Sequence, residues 1–112
     1  KSVIPAIQII SPADAVSNGT LFNPSKANKL TTLKGAPREV GGEFKCHYNE
    51  LTTLEGSPKV VGDGFDCSYN KLTSLKGAPV KVGGYFSCHY NNDKFTEDDV
   101  LNVSNVEGEI WV

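Results

Sequence analysis

The chain has 112 residues, with 11 lysine and arginine residues against 13 aspartate and glutamate residues, and a formal net charge of −2 at pH 7. This length suits one domain. The balanced charge, with no basic cluster, lacks the electrostatic footprint of a nucleic-acid-binding protein. No apolar run reaches the roughly 18 residues that a membrane-spanning helix needs. We therefore expect a single domain that binds neither nucleic acid nor membrane.

Residues 1–27 precede the regular part of the sequence and are expected to form an N-terminal cap. Residues 1–10 are a β-prone apolar run interrupted by Pro5, which suits an edge strand. The hydroxyl, proline and acid of Ser-Pro-Ala-Asp are typical of a helix start, so we expect a short helix over 11–16. Residues 20–27 resemble a degenerate copy of the repeat that follows.

Residues 28–91 contain three copies of a 21-residue unit. The copies read NKLTTLKGAPREVGGEFKCHY, NELTTLEGSPKVVGDGFDCSY and NKLTSLKGAPVKVGGYFSCHY, and a further asparagine stands at 91. A fixed period of roughly 20 to 29 residues is typical of a solenoid. The Phe-x-Cys of each copy predicts a short strand with one apolar face, which a single strand cannot bury alone. Stacked copies are therefore expected to form a parallel sheet with phenylalanine and cysteine turned inward, closed by leucine and valine.

The order of residues within the copies points to a known family. From Val40 onward the chain follows V-x-x-x-F-x-C-x-x-N-x-L-x-x-L. This order resembles the leucine-rich repeat, most closely the short repeats of bacterial and tailed-phage proteins, over a little more than half of the chain. The resemblance implies a leucine-rich-repeat-like solenoid with a parallel β-sheet on one face, an extended or turn-like convex side, and short helix and strand caps at both ends. It also implies that Asn49 and Asn70 bond to the backbone of neighbouring coils and are structural.

Residues 92–112 depart from the repeat and are expected to form a C-terminal cap. Thr96 and the acids after it predict a short helix from about Glu97. The sequence returns to β character over residues 105–112, where Trp111 is the largest apolar residue. This segment either closes the far end of the core or continues into further sequence.

The three cysteines, Cys46, Cys67 and Cys88, occupy one repeat position. An odd number of cysteines in small-hydrophobe positions favours reduced core residues over a disulfide framework. The cysteine and histidine of each Cys-His pair point to opposite faces of a strand, so they cannot hold one ion. We expect no metal and no cofactor. Reduced cysteines favour the bacterial or infected-host cytosol, and a virion is the alternative location.

No catalytic pattern emerges from the sequence. Gly41 and Gly42 recur because the coil turns there, and they do not form a phosphate-binding loop. His47 and His89 would lie two coils apart, about 10 Å, which is too far for one ring to orient the other. We therefore expect a protein that is not an enzyme.

Function is expected from the columns that vary between copies, together with the tyrosines. The residues expected on the outward, concave face are Glu43, Lys45, His47, Tyr48, Asp66, Ser68, Tyr69, Tyr85, Ser87, His89 and Tyr90. Tyrosine is enriched at interface hot spots, although the tyrosines also have a purely structural interpretation as a stack along the solenoid. The sequence predicts a non-catalytic protein-protein interaction module, for instance a phage protein acting on a host or phage target. The alternative is a structural subunit of a larger assembly such as a virion, joined through its terminal caps and convex side.

Overall fold

The computed structural model describes residues 3–4, 7–8 and 30–112, so the expected helix at 11–16 and the degenerate repeat at 20–27 lie outside the described residues. Short strands and one short helix are the regular elements of this part of the chain. They are β1 (Val3–Ile4), β2 (Ile7–Gln8), β3 (Glu39–Val40), β4 (Phe44–Lys45), β5 (Val60–Val61), β6 (Phe65–Asp66), β7 (Lys81–Val82), β8 (Phe86–Ser87), α1 (Glu97–Leu101), β9 (Asn105–Val106) and β10 (Ile110–Trp111). No helix among the described residues is long and apolar enough to cross a membrane.

The strands form two parallel sheets. One sheet has the order β1-β3-β5-β7-β9 and the other has the order β2-β4-β6-β8-β10. Each 21-residue copy, called a coil from this point, contributes one strand to each sheet, so the coils stack as a β-solenoid with little helix. The predicted parallel sheet is confirmed. The second sheet differs from the predicted extended or turn-like convex side. Each of its strands carries one repeated apolar residue, the valine, and so lacks the alternation that Phe-x-Cys shows.

The 21-residue period places identical residues on top of one another in the core. Phe44 pairs with Phe65 and Phe65 with Phe86, while the valine columns are aligned in the same way. The rings of Phe44 and Phe65 stack with their centroids 5.7 Å apart. The buried cluster comprises Leu30, Leu33, Val40, Phe44, Cys46, Leu51, Leu54, Val61, Phe65, Cys67, Leu72, Leu75, Ala78, Val82, Phe86, Cys88, Phe95 and Val100. The predicted inward orientation of phenylalanine, cysteine, leucine and valine is therefore confirmed.

All three cysteines are free and buried. Burial raises the pKa of the thiols at Cys46 and Cys67 well above the usual value, and raises the pKa of Cys88 to about 12. These side chains are therefore neutral core residues at physiological pH. In the described part of the chain, no group of three or more histidine, cysteine, aspartate or glutamate residues is placed to hold a metal ion.

An asparagine ladder ties the coils together where each chain segment leaves the sheet. The side-chain amide nitrogen of Asn70 donates to the carbonyls of Cys46 and Cys67, at 3.1 Å in both cases, and its oxygen accepts from the Leu51 N–H at 3.0 Å. Asn49 and Asn91 make equivalent bonds. Each amide thus satisfies buried backbone groups of its own and a neighbouring coil, which is the structural role expected from the sequence.

The segments on both sides of the coils continue the two sheets. At one end Ile4 pairs with Val40 and Ile7 with Phe44, and at the other end Val106 pairs with Val82 and Ile110 with Phe86. The predicted helix is confirmed. It begins after Thr96, whose hydroxyl accepts from the Asp99 N–H at 3.2 Å while the Asp99 carboxylate accepts from the Thr96 N–H at 2.9 Å.

Candidate protein-binding face

The side of β4, β6 and β8 that points away from the core carries the residues singled out from the sequence. Stacking in register arranges them in four columns, which together we call the outward face. The columns are Glu43-Gly64-Tyr85, Lys45-Asp66-Ser87, His47-Ser68-His89 and Tyr48-Tyr69-Tyr90.

Asp66 is the electrostatic centre of the outward face. Its Oδ1 accepts from the N–H and the hydroxyl of Ser68 at 3.0 and 2.6 Å, and its Oδ2 lies 3.3 Å from His47 Nδ1 on the preceding coil. Burial lowers the pKa of His47, the Asp66 carboxylate acts in the opposite direction, and Lys45 lowers it further. The carboxylate is therefore held in one orientation by contacts on two coils before any partner arrives.

Ser87 and His89 form the second polar pair. The Ser87 hydroxyl lies 3.1 Å from His89 Nδ1, which places a potential nucleophile beside a potential base. Ser87 is only 2% exposed. Because the hydroxyl is covered, this pair is better suited to fixing the histidine ring than to attacking a substrate.

Tyr85 crosses the outward face along the solenoid axis. Its ring occupies the space above Gly64, where a methyl group would overlap it, and it stacks on Trp111 with centroids 4.7 Å apart. Burial raises the pKa of Tyr85, and the Glu43 carboxylate, including a hydrogen bond to it, raises it further. The absence of a side chain at Gly64 in the second coil thus leaves room for the ring of Tyr85 in the third coil.

Trp111 lies on the outward face, where the sequence does not predict it. The sequence places it in the segment that closes the core, but it is 45% exposed and donates from Nε1 to the Glu109 carboxylate at 3.0 Å. Its neighbour Ile110 packs against the core instead. Aligning residues 105–112 with residues 81–88 would have placed Trp111 in the same column as Ser87. The offset between the two segments is 24 residues rather than 21, so the repeat period does not reveal this alignment.

The three tyrosines form a continuous stack. Tyr48 and Tyr69 have centroids 4.4 Å apart, and Tyr69 and Tyr90 have centroids 4.7 Å apart, with interplanar angles below 20°. Exposure rises to 38% at Tyr69 and 70% at Tyr90. His47 and His89 make edge contacts with this stack. The stack is therefore an aromatic wall along one border of the outward face.

All three tyrosines have a left-handed backbone, with φ between 57° and 60°. For a residue with a side chain this conformation costs about 1–2 kcal/mol, so the three cost about 3–6 kcal/mol together. Each of the two stacked pairs contributes about 0.5–1.5 kcal/mol in addition to the free energy of burying the ring area. Asparagine or glycine would meet the backbone requirement at lower cost, so the backbone conformation is not the reason for tyrosine in every coil.

The structure brings the predicted site residues together on one face, at different depths. His47, Ser68 and Ser87 are buried, and Tyr69 and Tyr90 are exposed. The partly exposed members are Glu43, Lys45, Tyr48, Asp66, Tyr85 and His89. The buried members make up a polar floor between the tyrosine stack on one side and the Tyr85-Trp111 pair on the other.

No protein-family model matches the chain, and no curated protein or solved structure matches it either. The resemblance to leucine-rich repeats stays a prediction that rests on the repeat itself. Function is therefore argued from the outward face.

Proposed function

We propose that the protein is a non-catalytic protein-binding module of the leucine-rich-repeat-like class, and that its partner docks on the outward face, taken as the concave side of the solenoid. The observation that carries this proposal is the tyrosine stack, Tyr48, Tyr69 and Tyr90. Asparagine or glycine would adopt its left-handed backbone at lower cost, and its last two members are exposed. A residue kept at a conformational cost and left in solvent is better explained by a surface role than by folding.

The contacts between Asp66 and the polar floor support the same function. Asp66 is already fixed by Ser68 and faces His47, so a partner would not have to order it on binding. Preorganised groups of this kind lower the entropy lost in association. Aromatic walls around a charged centre match the composition of interface hot spots, and the Asp66 carboxylate favours a basic side chain at the centre of the partner's surface.

The test compares two substitutions of an exposed residue by asparagine. Tyr69→Asn keeps a residue that tolerates the left-handed backbone, so we expect the unfolding free energy to change by no more than about 1 kcal/mol. Val80→Asn is the control, because Val80 is 61% exposed and directly precedes β7, outside the outward face. Each variant and the parent are immobilised, exposed to lysate of the source cells, and the captured proteins are quantified by mass spectrometry.

We expect the protein captured by the parent to be recovered at least tenfold less with Tyr69→Asn and unchanged with Val80→Asn. Capture that survives Tyr69→Asn and is lost with Val80→Asn would place binding beside β7, away from the outward face, and refute the proposal.

A further inference from the structure

Asp66 is a largely buried carboxylate in the middle coil, with described coils on both sides of it. Only 19% of its side chain is exposed. Its Oδ1 accepts two hydrogen bonds from Ser68, and its Oδ2 faces His47 Nδ1. Among residues 30–112, no lysine or arginine forms an ion pair with Asp66. Buried charges in proteins are as a rule paired with an opposite charge, so this carboxylate is an exception that needs a cause.

The side chains beside Asp66 do not supply a positive charge. Lys45 stands in register with it on the preceding coil, but the Lys45 Nζ lies 3.5 Å from Glu43 Oε1. Burial lowers the pKa of His47, the Asp66 carboxylate acts in the opposite direction, and Lys45 lowers it further. The imidazole is therefore neutral at physiological pH. The residue in register on the following coil is Ser87, which carries no charge. The charge of Asp66 thus stays uncompensated within the described residues.

The exposed part of Asp66 opens between two tyrosines of the outward face. The Tyr69 column borders the polar floor on one side and the Tyr85 column borders it on the other. Burial raises the pKa of both phenols, and the Asp66 carboxylate is among the neighbouring groups that raise it further. Both phenols are therefore protonated at physiological pH and keep a hydroxyl for bonding. A group that meets Asp66 from outside must be carried on a side chain long enough to pass between them.

Arginine fits this position better than the other long cationic side chain, lysine. A guanidinium group is less strongly hydrated than an ammonium group, so it loses less on entering a partly buried site. It also has five N–H donors in one plane. Because the Asp66 Oδ1 already accepts two hydrogen bonds, one donor would bond to Oδ2 and the others would be left for the phenol oxygens of Tyr69 and Tyr85. A phosphate or an acidic side chain would be repelled by the carboxylate.

We propose that the protein partner of the outward face inserts an arginine side chain between Tyr69 and Tyr85, where its guanidinium group pairs with Asp66. The inference rests on the proposed function, because it names the chemistry by which the docking partner is recognised at that same face. The partner's arginine supplies the charge that Asp66 lacks, and a charge-assisted hydrogen bond in a partly buried site is among the stronger polar contacts in proteins.

An NMR titration of the purified chain with a defined peptide tests the proposal. The probe is a glycine peptide with blocked ends and one arginine at its centre. We expect a saturable shift of the amide signals of Ser68 and Tyr69, because the Ser68 N–H donates to Asp66 Oδ1. The same peptide with citrulline, the neutral isostere of arginine, should give no saturable shift. The peptide with lysine should bind at least threefold more weakly.

Two variants separate Asp66 from a general attraction between the chain and a cation. Asp66→Asn keeps the shape of the side chain and an oxygen that accepts from Ser68, but removes the charge. It should weaken binding of the arginine peptide at least tenfold. Glu55→Gln is the matched control, because it removes one charge at an exposed position that pairs with Lys76. It should leave the binding unchanged, and both variants should keep the thermal transition of the parent.

The inference would be overturned by the absence of a saturable shift in the parent, by a citrulline or lysine peptide that binds as tightly as the arginine peptide, or by equal binding to Asp66→Asn and the parent. Its failure is distinguishable from failure of the proposed function. Capture from lysate that is lost with Tyr69→Asn and unchanged with Asp66→Asn would keep the outward face as the docking surface and refute the arginine alone.

Discussion

The two faces of the β4-β6-β8 ladder follow opposite rules. On the inward face the same residue recurs in every coil, and Phe44, Phe65 and Phe86 are fully buried on one another. On the outward face the same register brings together Lys45, Asp66 and Ser87, which share no chemistry. Identical neighbours are needed inside because each core side chain packs on its own column. Outside, three of the four columns change from coil to coil and only the tyrosine column repeats, so each coil adds different contacts beside a constant aromatic wall.

A charge placed in an inward column should have the largest effect. Cys67 lies between Cys46 and Cys88 and is fully buried, so Cys67→Asp would bury a carboxylate at the centre of the stack. An unpaired buried charge costs several kcal/mol, a large part of a total stability of about 5–15 kcal/mol. We expect loss of the cooperative thermal transition followed by circular dichroism.

Cys67→Val is the control for this substitution. It keeps an apolar side chain of similar volume and should change the unfolding free energy by less than about 1.5 kcal/mol. An aspartate variant that melts like the parent would show that the column does not point inward.

Alanine substitutions at two glycines of the second coil test the same comparison, and the first should have an effect of intermediate size on stability. A methyl group at Gly62 would overlap the carbonyl of Gly41, which is backbone of the coil below and cannot move alone. We expect Gly62→Ala to destabilise the protein by about 1–3 kcal/mol in a urea titration. Stability equal to that of the parent would contradict the close backbone contact between coils.

The same substitution two residues later should have the smallest effect on stability. At Gly64 the methyl group would meet the Tyr85 ring, a side chain that can swing away. We expect the unfolding free energy to change by less than about 1 kcal/mol, because the lost stack and the smaller entropy of the unfolded chain oppose each other. The fluorescence of Trp111, the single tryptophan, should shift to the red as Tyr85 leaves it. An unchanged spectrum would refute the Tyr85-Trp111 contact.

The sequence was sufficient to predict what repeats. Three copies in register define the parallel stack, the inward phenylalanine and cysteine columns, and the asparagine ladder, because a fixed period places equal residues in equal surroundings. Side-chain contacts between residues of different columns could not be predicted from the repeat period. Tyr85 reaches over Gly64 toward Glu43, and Asp66 bonds Ser68 while facing His47, because side chains of unequal length fill gaps left by their neighbours. The strands of the second sheet carry one repeated apolar residue each, the valine, so they lack the alternation of Phe-x-Cys from which the first sheet is predicted.

Amide hydrogen exchange in a dilute, monomeric sample tests the stacked register most directly. The N–H groups of Phe65 and Cys67 donate to Tyr85 and Ser87 of the next coil at 2.8 and 2.9 Å, and that of Tyr69 donates to His89. We predict that these three amides exchange only through global unfolding and therefore share one free energy of exchange, equal to that of unfolding. Exchange at Phe65 and Cys67 at a free energy well below that of unfolding would contradict the stack on which both the core and the outward face depend.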